Sequence, residues 1–242
     1  MLNSKPAVKP PVLVWDDDAD SKTYAKVYLA GPSGGGKTRT AIEVAIALVG
    51  DESKIGVLNT EGASGAKVYK KLYPHLKIKT IDEPFSPKEF IAFIKQAPDL
   101  GIEAIIIDSA SAEWKGVLSM VNSSTVANDF AKWKVPGALH DEFLAVIKSA
   151  PVHILATVRT KHKNAQVKGA DGRVTVRKLP GSQIQRAEFD FEFDLGLVCS
   201  DAGVITVDKS HYDTLQVGAQ FNREPSEIAK LIKSFLYPVQ GD

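Results

Sequence analysis

The sequence predicts an α/β protein with a mostly parallel sheet flanked by helices and an antiparallel extension near its C-terminal end. Short apolar runs alternate with segments of helical periodicity along most of the chain, which is typical of a parallel sheet covered on both faces. The apolar runs are uninterrupted, as expected for strands buried on both sides. Near the end, two such runs are separated only by a turn, which predicts antiparallel pairing.

Composition is that of an ordinary globular protein. The 242 residues are 44% hydrophobic and 24% charged, and the formal net charge is +1. This balance excludes a collagen-like, coiled-coil or fully disordered chain and gives no global attraction to nucleic acid. The single cysteine permits no intramolecular disulfide, and no apolar run is long enough to span a membrane. We therefore expect a cytoplasmic protein without a membrane partner.

The elements follow from local patterns. Apolar residues at helical spacing follow the first apolar run, and Ser86 is placed to cap a later helix. Gly169–Gly172 lies between two short alternating runs, which predicts a hairpin over 165–179. The predicted order is a strand at 27–30, a helix at 38–49, strands at 54–59 and 76–81, a helix at 87–96, a strand at 104–107, a helix at 137–149, a strand at 152–158, the hairpin, strands at 191–199 and 204–207, and a helix at 225–236.

We predict one folded domain. Residues 1–25 are expected to form an N-terminal tail and an acidic loop that contains Asp16, Asp17, Asp18 and Asp20. No linker or internal repeat divides residues 26–242.

A glycine-rich turn between the first strand and the first helix carries the strongest motif. Residues 31–38 fit G-x-x-x-x-G-K-[ST] at every fixed position. Glycines let the backbone amides approach a phosphate chain, and the helix N-terminus adds a favourable potential. Lys37 is predicted to contact the β- and γ-phosphates and Thr38 to bind Mg²⁺. The predicted nucleotide-binding residues are Gly31, Pro32, Ser33, Gly34, Gly35, Gly36, Lys37, Thr38 and Arg39.

A phosphate loop of this kind needs an acidic partner for the metal at the end of another buried strand. Residues 104–107 are apolar and Asp108 follows them directly. We therefore predict that Asp108 binds Mg²⁺ through its water shell.

Hydrolysis also needs a carboxylate that orients water toward the γ-phosphate. In many AAA+ ATPases this acid directly follows the metal aspartate, but here that position is Ser109, which argues against the AAA+ arrangement. Glu61 ends the run Lys54–Glu61, whose first six residues are the strand predicted at 54–59, and would face the γ-phosphate if that strand neighbours the one ending in Asp108. Glu113, on the predicted loop after Asp108, is the alternative.

A phosphate loop, a strand ending in Thr60-Glu61-Gly62 and an apolar strand ending in Asp108-Ser109 together resemble the RecA-type ATPase core. The short chain is most similar to the phage RecA-like ATPases of single-strand annealing and recombination. The resemblance covers about 26–214. It implies ATP as the nucleotide, Lys37 and Glu61 as catalytic residues, and a homo-oligomer. It also implies a residue that reaches the neighbouring subunit's nucleotide, for which Lys209 matches in type, although His211 replaces the more usual arginine.

A basic segment lies on this otherwise nearly neutral chain. Residues 159–178 include seven basic residues and one acidic residue, Asp171. A basic loop at the carboxyl edge of a parallel sheet suits a phosphate backbone, and the RecA resemblance implies that this loop binds single-stranded DNA. On the predicted loop after Asp108, Trp114 and Trp133 could stack bases, although such residues more often pack locally. The predicted DNA-binding residues are Arg159, Lys161, Lys163, Lys168, Arg173, Arg177 and Lys178.

Taken together, the sequence predicts a Mg²⁺-dependent, DNA-stimulated ATPase that acts on single-stranded DNA in recombination, annealing or repair. Two alternatives stay open. A small-molecule kinase could use the basic segment as a lid over the phosphates, and a nucleotide-gated DNA-binding scaffold would show little turnover.

Overall fold

A computed structural model describes residues 23–161, 163–168, 174–179 and 182–238. The helices of this part of the chain are α1 (Lys37–Val49), α2 (Gly62–Leu72), α3 (Pro87–Gln96), α4 (Ala110–Asn122), α5 (Asp129–Lys132), α6 (Lys134–Ser149) and α7 (Pro225–Leu236). The strands are β1 (Lys26–Gly31), β2 (Ile55–Asn59), β3 (Lys77–Thr80), β4 (Ala104–Asp108), β5 (His153–Arg159), β6 (Lys163–Lys168), β7 (Val174–Leu179), β8 (Leu195–Cys199), β9 (Val204–Ser210) and β10 (Gln220–Asn222).

Eight strands form one sheet in the order β10-β9-β8-β1-β5-β4-β2-β3. The six from β8 to β3 run parallel, whereas β9 and β10 add to one edge in antiparallel orientation. The predicted fold class is confirmed, including the antiparallel C-terminal strands. Because β1, β5, β4 and β2 are parallel neighbours, their carboxyl ends meet at one edge of the sheet, where the phosphate loop, Asp108, Glu61 and Arg159 lie.

Helices cover both faces of the sheet. Phe90 of α3, Ala110 of α4 and Phe143 of α6 pack with Ile105 on one face. The other face packs mainly against α1 and α7, and the two layers bury β1 and β4 completely. This two-sided burial explains why both strands read as continuous apolar runs.

Helices α2 and α4, the short elements α5 and β10, and one strand boundary differ from the sequence prediction. The segments after Glu61 and after Ser109 form helices α2 and α4, where the sequence pattern predicts a loop or no element. The strand predicted at 191–199 begins only at Leu195, because Phe189–Glu192 forms a short 3-10 helix. The predicted hairpin is confirmed by the antiparallel pairing of β6 with β7, and its turn at 169–173 lies outside the described residues.

The described helices include none with the length and apolar character needed to cross a bilayer. Residues 1–22 of the tail predicted at 1–25 lie outside the described residues, so the division into tail and domain stays a prediction.

Candidate functional site

The glycine-rich turn joins β1 to α1 at the carboxyl edge of the sheet. Gly34 and Gly36 have φ values of 82° and 84°, a left-handed conformation that glycine adopts without a steric penalty. Gly36 is the N-cap of α1 and supplies no side chain to the first-turn amides, which leaves those amides to a ligand. Lys37 is buried, and its Nζ donates to the Pro32 carbonyl at 2.7 Å across the turn.

The end of β8 supports this turn from behind. A Cβ atom on Gly31 would lie 2.3 Å from the Cys199 carbonyl oxygen, and one on Gly35 would lie 3.2 Å from the same atom. The approach of the two backbones therefore requires glycine at position 31 and leaves little room for a side chain at position 35. The turn is a tight backbone cradle of the size and chemistry that a phosphate chain requires.

Asp108 lies at the end of β4 and is 3% exposed. Its Oδ2 accepts a hydrogen bond from Thr38 Oγ1 at 3.0 Å, and its Oδ1 accepts one from Thr157 Oγ1 at 2.6 Å. Burial raises the pKa of this carboxyl, whereas the two hydroxyl donors favour the ionised form. The predicted pairing of Thr38 with Asp108 is thus present. Thr157, on the strand beside β4, holds the aspartate.

The Thr38 hydroxyl and the Asp108 carboxylate fit a Mg²⁺ ion. Both are oxygen ligands, which Mg²⁺ prefers, and they meet beside the phosphate cradle. When bound there, Mg²⁺ would neutralise charge on the phosphate oxygens.

Glu61 follows the end of β2, in the turn that begins α2. Strand β2 pairs with β4 so that Asn59 lies opposite Asp108, and the two strands are neighbours as the role of Glu61 requires. Asn59 is fully buried and shapes the turn, because its side chain accepts from the Glu61 amide at 3.2 Å and donates to the Gly62 carbonyl at 2.9 Å. The Glu61 carboxylate pairs with the Arg159 guanidinium at 2.5 Å.

Several residues that hold the site together were missed by the sequence analysis. Thr60 Oγ1 donates to the Asp108 carbonyl and accepts from the Ser109 amide, each at 3.0 Å. Ser111 Oγ accepts from the Arg159 amide at 2.9 Å. The sequence signal for these residues is a small hydroxyl side chain near the end of a buried strand. Their hydrogen-bond partners lie on other strands, so the sequence alone does not identify the contacts.

Glu113, the alternative base, is excluded by its position. It lies on α4 and not on a loop, and it is 0% exposed. Its carboxylate is 3.0 Å from His140 Nδ1, which is equally buried. Burial is the largest influence on the Glu113 carboxyl and raises its pKa. The pair joins α4 to α6 inside the core and does not face the cradle.

The basic segment starts at this same edge. Arg159 is the last residue of β5, and the exposed Lys161 follows it. A bridge between Thr160 and Gln183 and a 2.9 Å bond from the Lys161 amide to the Ser182 carbonyl close the root of the hairpin. Lys163 and Lys168 lie on β6, and Arg177 and Lys178 on β7, whereas Arg173 lies outside the described residues.

Two further predicted residues have partners within the chain. Arg39 is exposed and pairs with Glu43 at 2.7 Å. Lys209, which follows the strand predicted at 204–207, lies inside β9 and donates to the Asp190 carbonyl at 2.7 Å. Because β9 runs antiparallel to β8, Lys209 is at the edge of the sheet opposite the cradle and cannot serve its own subunit's nucleotide.

The structure places the two tryptophans on or beside helices, and not on a loop after Asp108. Trp114 belongs to α4 and Trp133 precedes α6 directly. Their rings stack with centroids 6.0 Å apart and planes at 29°.

A phosphate cradle, a buried lysine and a pair formed by the Thr38 hydroxyl at the start of α1 and the Asp108 carboxylate at the end of β4 define a nucleotide-binding P-loop domain. A protein-family model described as an AAA domain matches residues 23–224, most of the chain. The chain therefore belongs to this family and is an AAA-type P-loop ATPase domain. A comparison with curated proteins found no match.

Family membership does not by itself locate the base. The position after Asp108 is Ser109, whose hydroxyl is buried and cannot replace a carboxylate. The assignment of Glu61 as the base stays a prediction.

Proposed function

We propose that this protein is a Mg²⁺-dependent ATPase of RecA-like catalytic arrangement that acts on single-stranded DNA as a homo-oligomer, in phage-type recombination, annealing or repair. The observation that carries the proposal is the juxtaposition at the carboxyl edge of the sheet. The cradle, Asp108, Glu61 and the root of the basic hairpin lie on adjacent strands.

The roles of the residues follow from their positions. The amides of the cradle and Lys37 bind the phosphates, and Lys37 exchanges the Pro32 carbonyl for phosphate oxygen. Thr38 and Asp108 hold the metal, and Thr157 keeps the Asp108 carboxylate oriented.

Glu61 acts from the neighbouring strand. Its side chain is 41% exposed and so can contact water, which it orients toward the γ-phosphate. Arg159 pairs with Glu61, so nucleotide or DNA must draw this guanidinium away before Glu61 can act as a base.

The basic hairpin supplies the DNA contact. Its charges would neutralise backbone phosphates, and its root is continuous with β5, which ends at Arg159. The same guanidinium thus belongs to both the DNA-binding segment and the hydrolytic site, which supports stimulation of turnover by DNA.

Replacement of the base tests the chemistry. We expect Glu61→Gln to lower ATP turnover about 10²- to 10⁴-fold with little change in ATP affinity, because the amide cannot accept a proton. Turnover is measured by phosphate release and affinity by a fluorescent nucleotide. Glu142→Gln, which removes an exposed carboxylate on α6, is the matched control. Unchanged turnover in Glu61→Gln would remove Glu61 from the mechanism.

Replacement of hairpin charge tests the substrate. ATP hydrolysis is measured with and without single-stranded DNA at two salt concentrations. We expect stimulation by DNA and, when Lys163, Lys168 and Arg177 are changed to glutamine, a smaller salt slope of DNA binding, by about 0.7 for each phosphate that is no longer neutralised. Phosphate transferred to a metabolite would indicate a kinase, and ATP-dependent DNA binding without turnover would indicate a scaffold.

A further inference from the structure

The stacked tryptophans form an ordered aromatic platform that nucleotide hydrolysis does not use. On its inner side, Trp114 packs against the His140 ring with centroids 5.0 Å apart. His140 is held in turn by Glu113, and both are fully buried. Trp133 lies on the outer side and is 40% exposed. A large indole supported from one side and open on the other is suited to stacking.

A cavity of about 480 Å³ opens beside this platform. Trp114 and Trp133 line it with Gly137 and Ala138, and a Cβ atom on Gly137 would meet nothing within 4 Å. The small residues of α6 thus leave space for a flat group next to the indoles.

The remaining lining is polar and held in place. Arg186 donates to Asp141 at 2.7 Å and pairs with Glu188 at 2.9 Å. Lys134 completes the rim. The Arg186 guanidinium offers hydrogen-bond donors and the Asp141 carboxylate offers acceptors to the polar edge of a ligand. The indole rings offer a flat surface for stacking.

The location connects the cavity to the predicted DNA path. Helices α4 and α6 both begin at the carboxyl edge, and Arg186 comes three residues after Gln183, which closes the hairpin root. Trp114 also lines a second cavity of about 280 Å³, which Arg159 lines as well.

We infer that the cavity between Trp133 and Arg186 binds one unpaired nucleobase of the single-stranded DNA, stacked on the Trp133 indole with its polar edge toward Arg186 and Asp141. The inference rests on the proposed function for its substrate. A base within a duplex has no free face, so the site selects single strands. Its contribution is largely insensitive to salt, unlike that of the hairpin.

Paired oligonucleotides test this site. Binding of a dT oligomer of about 15 nucleotides and of an abasic oligomer of equal length is measured by anisotropy at two salt concentrations. We expect Trp133→Ala to weaken dT binding about 10-fold, to leave the salt slope unchanged and to leave abasic binding unchanged. Phe130→Ala is the matched control, because Phe130 is an exposed aromatic residue, 92% accessible, that does not line the cavity.

A second measurement guards against misfolding of the alanine variant. In a Trp15→Phe background, only Trp114 and Trp133 remain, since the chain has three tryptophans. We expect dT to quench their fluorescence and the abasic oligomer not to, and Trp133→Phe to retain most of the dT affinity. Equal losses on both oligomers, or no loss on dT, would overturn the inference while DNA binding stands. Failure of the unaltered protein to bind either oligomer would overturn the proposed function itself.

Discussion

Lys26, at the start of β1, is a buried charge that shapes the protein's stability. Its Nζ donates to the carbonyls of Ala150 and Val152, each at 2.7 Å, and so satisfies acceptors at the C-terminal end of α6. Burial lowers the pKa of this amine to about 8, against the attraction of Asp194. Lys26 therefore stabilises the edge of the sheet opposite the cradle, but burying its charged amine costs desolvation free energy.

This cost predicts a pH dependence. Between about pH 8 and the ordinary lysine pKa near 10.5, the unfolded chain binds more protons at Lys26 than the folded one. The free energy of unfolding should therefore gain a term that rises with pH in that window, by at most about 1.4 kcal/mol per pH unit. Urea titrations of the unaltered protein and Lys26→Met should differ in slope there. Parallel curves would contradict this assignment.

At the scale of elements, the Glu113–His140 pair fixes α4 to α6. Both side chains are fully buried, so removal of one partner leaves an uncompensated polar group. We expect His140→Ala to lower the free energy of unfolding by about 3 kcal/mol. Glu113→Gln should lower the free energy of unfolding much less, because the neutral amide carries no charge to bury. Burial already raises the pKa of the Glu113 carboxyl, so the charged form is disfavoured at this position.

The double variant and an activity assay complete this test. Glu113→Gln combined with His140→Ala should be more stable than His140→Ala alone, since no carboxylate is left unpaired. Glu113→Gln should also retain ATP turnover, in contrast to Glu61→Gln. Loss of turnover with an unchanged melting temperature would restore Glu113 as a candidate base.

At the scale of the whole molecule, Lys209 allows a test of assembly. It lies at the edge opposite the cradle, so any role at a nucleotide requires a neighbouring subunit. Lys37→Ala and Lys209→Ala should each lose turnover, whereas an equimolar mixture should recover part of it. In the mixture, a Lys37→Ala subunit can offer its intact Lys209 to a neighbour with an intact cradle. No recovery in a mixture shown by sedimentation to co-assemble would assign Lys209 a purely structural role.

The sequence predicted what depends on neighbours along the chain. The phosphate cradle and Asp108 follow from contiguous motifs, and β1 and β4 from contiguous apolar runs. The Glu61–Arg159 and Glu113–His140 pairs join residues far apart in sequence, so only the strand and helix order brings them together. Helix α4 was not predicted from the sequence, because the segment directly follows the motif that ends in Asp108 and was interpreted as a loop.

The closeness of β8 to the cradle has a practical consequence for labelling chemistry. Cys199 is the sole sulfhydryl of the chain, and burial raises its pKa to about 11. At neutral pH an alkylating reagent can modify it only during excursions that expose its buried side chain, which lies next to Gly31. Slower modification in the presence of ATP would therefore show that a nucleotide in the cradle suppresses those excursions, without any introduced probe.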